Sequence, residues 1–306
     1  MQTGATPAYP AELVAVLIAV TAGQPRILTV QAGRALPSGP FELGHKSLQS
    51  SLRAWVEQQT HHPLGYVEQL YTFADRGGAE MGAAPHAISI SYLALTQEGR
   101  ASGGYDAGWQ GWYDYFPWED QRTGPSPAIS ALAAGLRDWA GAARDSAASS
   151  DRWQRAAITF GLDGREWNEE LVLQRYELLY EAGLVQEAPQ PHPQLAPGQS
   201  MALDHRRIAA TGIARLRAKL KYRPVVFELL PPEFTLLHLQ RTVEGIAGRL
   251  LHKQNFRRLI EQQDLVEDTG AISSGTGGRP AKLFRFRREV LSERAVAGTK
   301  LPLSRP

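Results

Sequence analysis

Two groups of residues near the end of the sequence carry a recognisable chemistry. The first is Lys253, Gln254, Asn255, Arg257 and Arg258, five donors within "HKQNFRRLIEQQDLV". The second is Arg279, Lys282 and Arg285, spread over "GTGGRPAKLFRF" (275–286). Arginine donors read guanine, and Gln or Asn carboxamides read adenine, when a helix N-terminus enters the major groove. Lys and Arg on a flexible arm reach phosphates or the minor groove instead. A surface hairpin needs no such concentration of cations. The two groups therefore point to DNA. The alternative is a module that docks protein and is basic only for solubility.

The elements that would position these groups can be read on either side of them. "VVFELLP" is a short helix. In "EFTLLHLQRTVEGIAG", Thr235 is an N-cap, Leu236, Leu239, Val243 and Ile246 share one face, and Gly248 closes the helix. A brief turn leads to a second helix with Phe256, Leu259, Ile260 and Leu265 on its apolar side, and the polar and basic residues at its start point outward. Two helices, a tight turn and a glycine-rich hairpin are the parts of a winged helix-turn-helix.

Charge follows the same division. Residues 201–306 hold 20 Lys+Arg against 10 Asp+Glu, and residues 1–200 hold 13 against 21, so a formal net charge of +2 hides +10 in one part and −8 in the other. Such a split suggests that one half meets a polyanion, although segregated, solvated charges would give the same count. The chain has no cysteine, which excludes disulfides and thiolate metal sites and suits a reducing cytoplasm. "AELVAVLIAV" (11–20) is too short to span a bilayer and reads as a buried strand, so no membrane role is expected.

Upstream, "LVAVLIAVTAGQPRILTVQAG" reads as two strands around a turn, and "YVEQLYTF" and "HAISISYLALT" as two more. "KSLQSSLRAWVEQQT" carries Leu48, Leu52, Trp55 and Val56 at helical spacing. Helices follow over about 126–148 and 166–182. The expected fold is α+β: a mixed-sheet α/β domain over 1–185, a proline-rich linker over 186–200, and the winged helix over 201–306. "DHRRIAATGIARLRAKLKY", with its stripe at Ile208, Ile213 and Leu216, is assigned to the last of these as a basic helix.

Residues 36–60 resemble the Nudix box, G-x5-E-x7-R-E-U-x-E-E-x-G-U, in which carboxylates on one helix face hold a divalent metal against a pyrophosphate. Gly39, Arg53 and Glu57 match. His45 stands at the first Glu, Ala54 and Gln58 replace two others, Trp55 takes the aliphatic place, and Thr60 stands at the closing glycine. Positions 54 and 58 lie one helical turn apart. One remaining carboxylate cannot supply the charge that a metal cluster needs, so these residues argue against hydrolysis. Over about residues 10–290, "GYVEQLYTFADRG", "ISISYLAL", "DHRRIAATGIARLRAKLKYRPVVFELLPPEFTLLHLQR", "KQNFRR" and "GGRPAKLFRF" resemble the Nudix-related transcriptional regulators of NAD metabolism, NrtR and the NadQ-like branch with a degenerate box.

The resemblance implies a homodimeric repressor that is not an enzyme, binds a palindromic double-stranded operator and senses an NAD-related nucleotide such as NAD, ATP or ADP-ribose. Beyond that effector it implies no cofactor. Candidate effector contacts are Arg34 and Arg53 for a diphosphate, Glu57, and Trp112 and Tyr113 from the aromatic run 109–118, which could stack on a base. For Arg53 a pair with Glu57 is the structural alternative, and for the aromatic run a local core or a dimer contact is. His61 and His62 read as surface residues. A different function, an active nucleotide-diphosphate hydrolase with an accessory winged helix, would need the missing carboxylates. A scaffold that binds protein through both modules is a third reading, and the polar start of the second helix argues against it.

Overall fold

The computed structural model describes residues 11–41, 47–73, 88–99, 105–273 and 280–290. His45, Arg279 and the glycines of 275–278 lie outside the described residues. A mixed sheet occupies the first part of the chain, with strand order β4-β5-β1-β2-β6. At its centre, β1 (Ala11–Thr21) pairs parallel with β5 (Ile88–Leu95) and antiparallel with β2 (Gln24–Thr29) and β3 (Ser38–Pro40). β4 (Tyr66–Phe73) lies at one edge and β6 (Gly108–Gly111) at the other. β1 is apolar without alternation because both of its faces are covered. Leu13, Ala15, Leu17 and Ala19 join Leu52, Val56 and Trp109 on one side. Val14, Val16, Ile18 and Val20 join Trp112, Tyr115 and Ile213 on the other. Ala22 and Gly23 both have positive φ, the geometry of a two-residue turn between strands.

On the first side lies α1 (Leu48–Thr60), started by reciprocal Ser47–Ser50 capping and ended at His61 in the left-handed region. On the second side lie α2 (Trp112–Tyr115), α3 (Pro127–Gly141), α4 (Ser146–Phe160), α5 (Val172–Glu181) and α6 (His205–Lys219). α6 differs from its assignment. Ile208, Ile213 and Leu216 are buried as their spacing requires, but the helix lies across the sheet, with Gly212 packed on Val16. Its Arg206, Arg217 and Lys219 are buried too. Residues 186–200 are irregular yet lie on the protein surface rather than apart from it, with Ala196 N–H donating to Leu184 O (2.7 Å) and Gln199 N–H to Asp114 O (2.8 Å).

The last part of the chain is a winged helix. A short 3-10 turn (Val225–Leu229) leads to α7 (Leu236–Ala247), α8 (Lys253–Gln262), β7 (Val266–Ile272) and β8 (Lys282–Phe286). Thr235 caps α7 by accepting from His238 N–H (3.1 Å), and Gly248 ends it at φ +71°. β7 and β8 pair antiparallel, and Phe234 bridges to Phe284 as a third strand position. Phe227 stacks on Phe286 at 4.2 Å and fixes the base of the hairpin. Among the described residues no helix is long and apolar enough to cross a membrane.

Candidate nucleic-acid interface and nucleotide face

α8 presents the first group of donors as the sequence predicts. Phe256 is its one buried residue, while Lys253, Gln254, Asn255, Arg257 and Arg258 are all exposed. Asn255 Oδ1 accepts from the Arg258 guanidinium (2.9 Å), which orders those two side chains together. His252 caps α8 without a side-chain bond, so the first amide donors of the helix face outward, as a phosphate contact needs. The cavity beneath α8 measures about 220 Å³ and is lined by Leu239, Val243, Phe256 and Ile260.

The hairpin departs from a simple cationic arm. Lys282 donates to Asp268 across the strands at 2.7 Å, and Arg285 pairs with Glu267. The bond to Lys282 lowers the Asp268 carboxyl and the same bond raises the Lys282 ammonium. Both cations are exposed, so these pairs are weak and open to exchange with a phosphate. Elsewhere in the basic region, charge is consumed internally. Arg206 pairs with Glu187 (3.3 Å), Arg207 with Glu177 (2.8 Å), Lys221 with Glu169 (3.2 Å), Arg249 with Glu169 (3.4 Å), and Lys219 with Glu68. The acidic and basic parts of the chain thus neutralise each other across α6, which is the physical reason for much of the split.

The expected effector contacts do not converge. Arg53 and Glu57 are on α1, on one side of the sheet. Trp112, fully buried, and Tyr113 lie on the other, packed against α6 and α7. This follows from strand parity: β6 ends at Gly111 and the chain turns into α2 beneath the second side. Arg53 does not pair with Glu57. Its guanidinium donates to Leu64 O and to Gly65 O (3.0 Å) and so holds the chain after α1. Arg34 is exposed on the loop after β2, which places Gln31, Ala32 and Gly33 in succession at positive φ. Ala54, Glu57 and Gln58 are exposed on α1. Trp55 packs flat on Gly39, where any Cβ would collide with the indole, and donates to Pro40 O (2.9 Å).

Trp109, which the sequence groups with the aromatic run 109–118, and His62, read there as a surface residue, share the α1 side with Arg53. Their rings meet edge to face at 5.6 Å, Trp109 donates to Gly99 O (3.0 Å), and His62 Nε2 lies 2.9 Å from Thr96 Oγ1. His62 is buried, not on the surface, and burial holds its pKa below the ordinary histidine value. Strand parity was the available signal, since Trp109 and Trp112 are separated by an odd step and a change of element. Sequence reasoning missed Glu119. It is buried between Arg175 and Arg217, each at 2.5 Å, and neutralises both in part. Burial pulls the Arg175 guanidinium below its usual range; for Arg217 burial acts the same way but Glu119 outweighs it. Among the described residues no group of three or more His, Asp or Glu could hold a metal ion.

Comparison with known proteins agrees with this architecture. Residues 226–286 match the NrtR DNA-binding winged helix domain. The ADPR-responsive transcriptional repressor NtrR of Acinetobacter baylyi is 41% identical over 86 residues, which are 28% of this chain. The match spans 34% of that relative's length. Shewanella oneidensis NrtR, solved with a 27mer DNA, superposes with a TM-score of 0.57 at 21% identity, over 92% of this chain and 95% of that one. A MutT/nudix family protein of Enterococcus faecalis superposes with a TM-score of 0.52 at 14% identity, over 94% and 90%. The chain therefore shares the two-part α+β fold of Shewanella oneidensis NrtR, and its residues 226–286 are a winged helix of the NrtR DNA-binding kind.

Proposed function

We propose that this protein is a cytoplasmic, homodimeric transcriptional repressor of NAD-metabolism genes whose grip on a palindromic operator is set by an NAD-related nucleotide. The observation that carries the reading is the exposed row Lys253, Gln254, Asn255, Arg257 and Arg258 at the open start of α8, within a winged helix of the NrtR DNA-binding kind. A homodimer doubles that row and matches a two-fold operator. ADP-ribose is the first effector to test, ahead of NAD and ATP, because a relative by sequence is named for its response to ADPR.

The Nudix-like part binds the nucleotide without hydrolysing it. Ala54 and Gln58 leave Glu57 alone on the exposed face of α1, and a lone carboxylate does not gather the metal ions that a diphosphate cleavage needs. The α1 side of the sheet is the effector's side in this reading, with Glu57 as its exposed carboxylate, while Arg34 stands on a loop whose carbonyls bond to Tyr115 and Ala202 of the other side. Arg53 supports the loop after α1, and Trp112 and Tyr113, on the opposite side of the sheet, do not touch the effector in this reading. The experiment is selection of operators from random duplex by the full-length protein, followed by incubation with ADP-ribose and magnesium or manganese. The account expects an enriched inverted repeat and intact ADP-ribose. Failure to enrich any sequence removes the repressor reading, and metal-dependent cleavage that Glu57→Gln abolishes makes the protein a hydrolase.

A further inference from the structure

Three carbonyls at the end of α7 would have no partner within the helix. Two are taken by the segment that follows β6 and one by α6. Tyr113 OH donates to Gly245 O (2.7 Å), Arg217 Nε to Ile246 O (2.8 Å), and Gln121 N–H to Gly248 O (2.7 Å). The fit leaves no slack. A Cβ on Gly245 would collide with Gly23 O in the β1–β2 turn, and one on Gly248 with Glu119 O. Arg122 donates to Gly23 O (2.9 Å) and lies over the Tyr113 ring at 5.1 Å, locking turn and ring together. Glu119, buried with Arg175 and Arg217, fixes the same segment to α5 and α6.

The opposite end of this segment is β6. Trp109 stands there on the α1 side, against His62, while Arg26 donates to the Trp109 carbonyl (2.7 Å). The chain passes in a few residues from the α1 side of the sheet to the end of α7. From α7 the connection to the reading helix is also direct. Glu244 accepts from Leu251 N–H (2.9 Å) and from Gln240 (2.9 Å), and Gln240 donates to Leu251 O (3.1 Å), so the turn before α8 is tied to α7. α8 itself rests on Phe256 above a cavity, which leaves it room to change tilt.

We propose that residues 108–122 are the element that transmits the effector's presence to the reading helix, with Tyr113, Arg217 and Gln121 as positioning residues that hold the end of α7. This rests on the reading of a nucleotide-controlled repressor given above. A shift of β6 beneath a bound nucleotide changes the seat of α7, and α7 carries the start of α8 with it. The residues touch neither nucleotide nor DNA, so their substitution alters the coupling between two bindings and not each binding alone.

The test uses the full-length protein, the selected operator and ADP-ribose. Operator affinity is measured with and without ADP-ribose, ADP-ribose affinity by calorimetry, and amide exchange over residues 248–253 by mass spectrometry. The variants are Tyr113→Phe, which removes one oxygen, and Arg217→Lys, which keeps the charge against Glu119 but removes the bond to Ile246 O. The expected result is ADP-ribose affinity within about threefold of wild type, faster exchange over 248–253, and a coupling factor brought close to one where wild type shows the common range of about 5–150-fold. Wild type that binds ADP-ribose with no effect on operator affinity overturns the functional reading and this inference with it. A coupled wild type beside two equally coupled variants overturns this inference alone.

Discussion

Gln254, Asn255 and Arg257 are expected to meet base edges, because they stand in the first turn and a half of an exposed helix with an open N-terminus. Gln254→Ala or Arg257→Ala should cost about 1–3 kcal/mol on the operator and flatten discrimination at one base pair. Binding to the operator and to single-base variants of it checks this, and an unchanged preference would remove that residue from base reading. The hairpin should behave differently. Lys282→Ala should weaken operator and scrambled duplex alike and make the salt dependence shallower by about 0.9 for each phosphate that is no longer neutralised. Asp268→Asn should tighten both, since it releases Lys282 from its cross-strand partner. Equal binding of the two variants at every salt concentration would show that the hairpin does not touch DNA. Residue types on α8 were legible because the helical period sorts them by face. The partners of Lys282 and Arg285 were not, because the register of β7 on β8 shifts between Asp268 and Ile272 and no local pattern sets it.

Among the elements, α7 was legible to the residue. Its caps are local chemistry: a threonine hydroxyl at one end and a glycine in the left-handed region at the other. Gly248 carries more than a cap, since its backbone lies against Glu119. Gly248→Ala should cost about 1–2 kcal/mol for the left-handed conformation alone, and more for the collision. Denaturant unfolding should show a lower midpoint with an unchanged slope. Stability equal to wild type would mean that the end of α7 is not seated as described. α6 was read correctly as a helix and assigned to the wrong partner. Its apolar stripe is visible in the sequence, but the carboxylates that meet its buried cations come from Glu68, Glu119 and Glu187, far away in the chain. Buried ion pairs of this kind are costly to break singly, because the remaining charge has no water to turn to. Neither α6 nor residues 186–200 stand apart from the sheet, since Gly212 packs on Val16 and Ala196 and Gln199 bond to Leu184 and Asp114.

For the whole molecule, the split of charge was a true signal read too simply. Part of the excess in residues 201–306 lies in the exposed row of α8 and in the hairpin. Another part, on α6 and at Lys221 and Arg249, joins the two parts of the chain. The fold class was legible because strands, the degenerate box and the winged helix each leave a periodic trace. The side of the sheet on which each candidate effector contact falls was not, because sidedness depends on strand parity and on where each strand turns. The central claim is that two ligands, a nucleotide and DNA, compete or cooperate through one protein. It is tested most directly by closing the thermodynamic square for wild type: operator affinity with and without ADP-ribose, and ADP-ribose affinity with and without operator. The account predicts a change of about fivefold or more on the first side and the same factor on the second. Two independent bindings, with a factor of one on both sides, would contradict it.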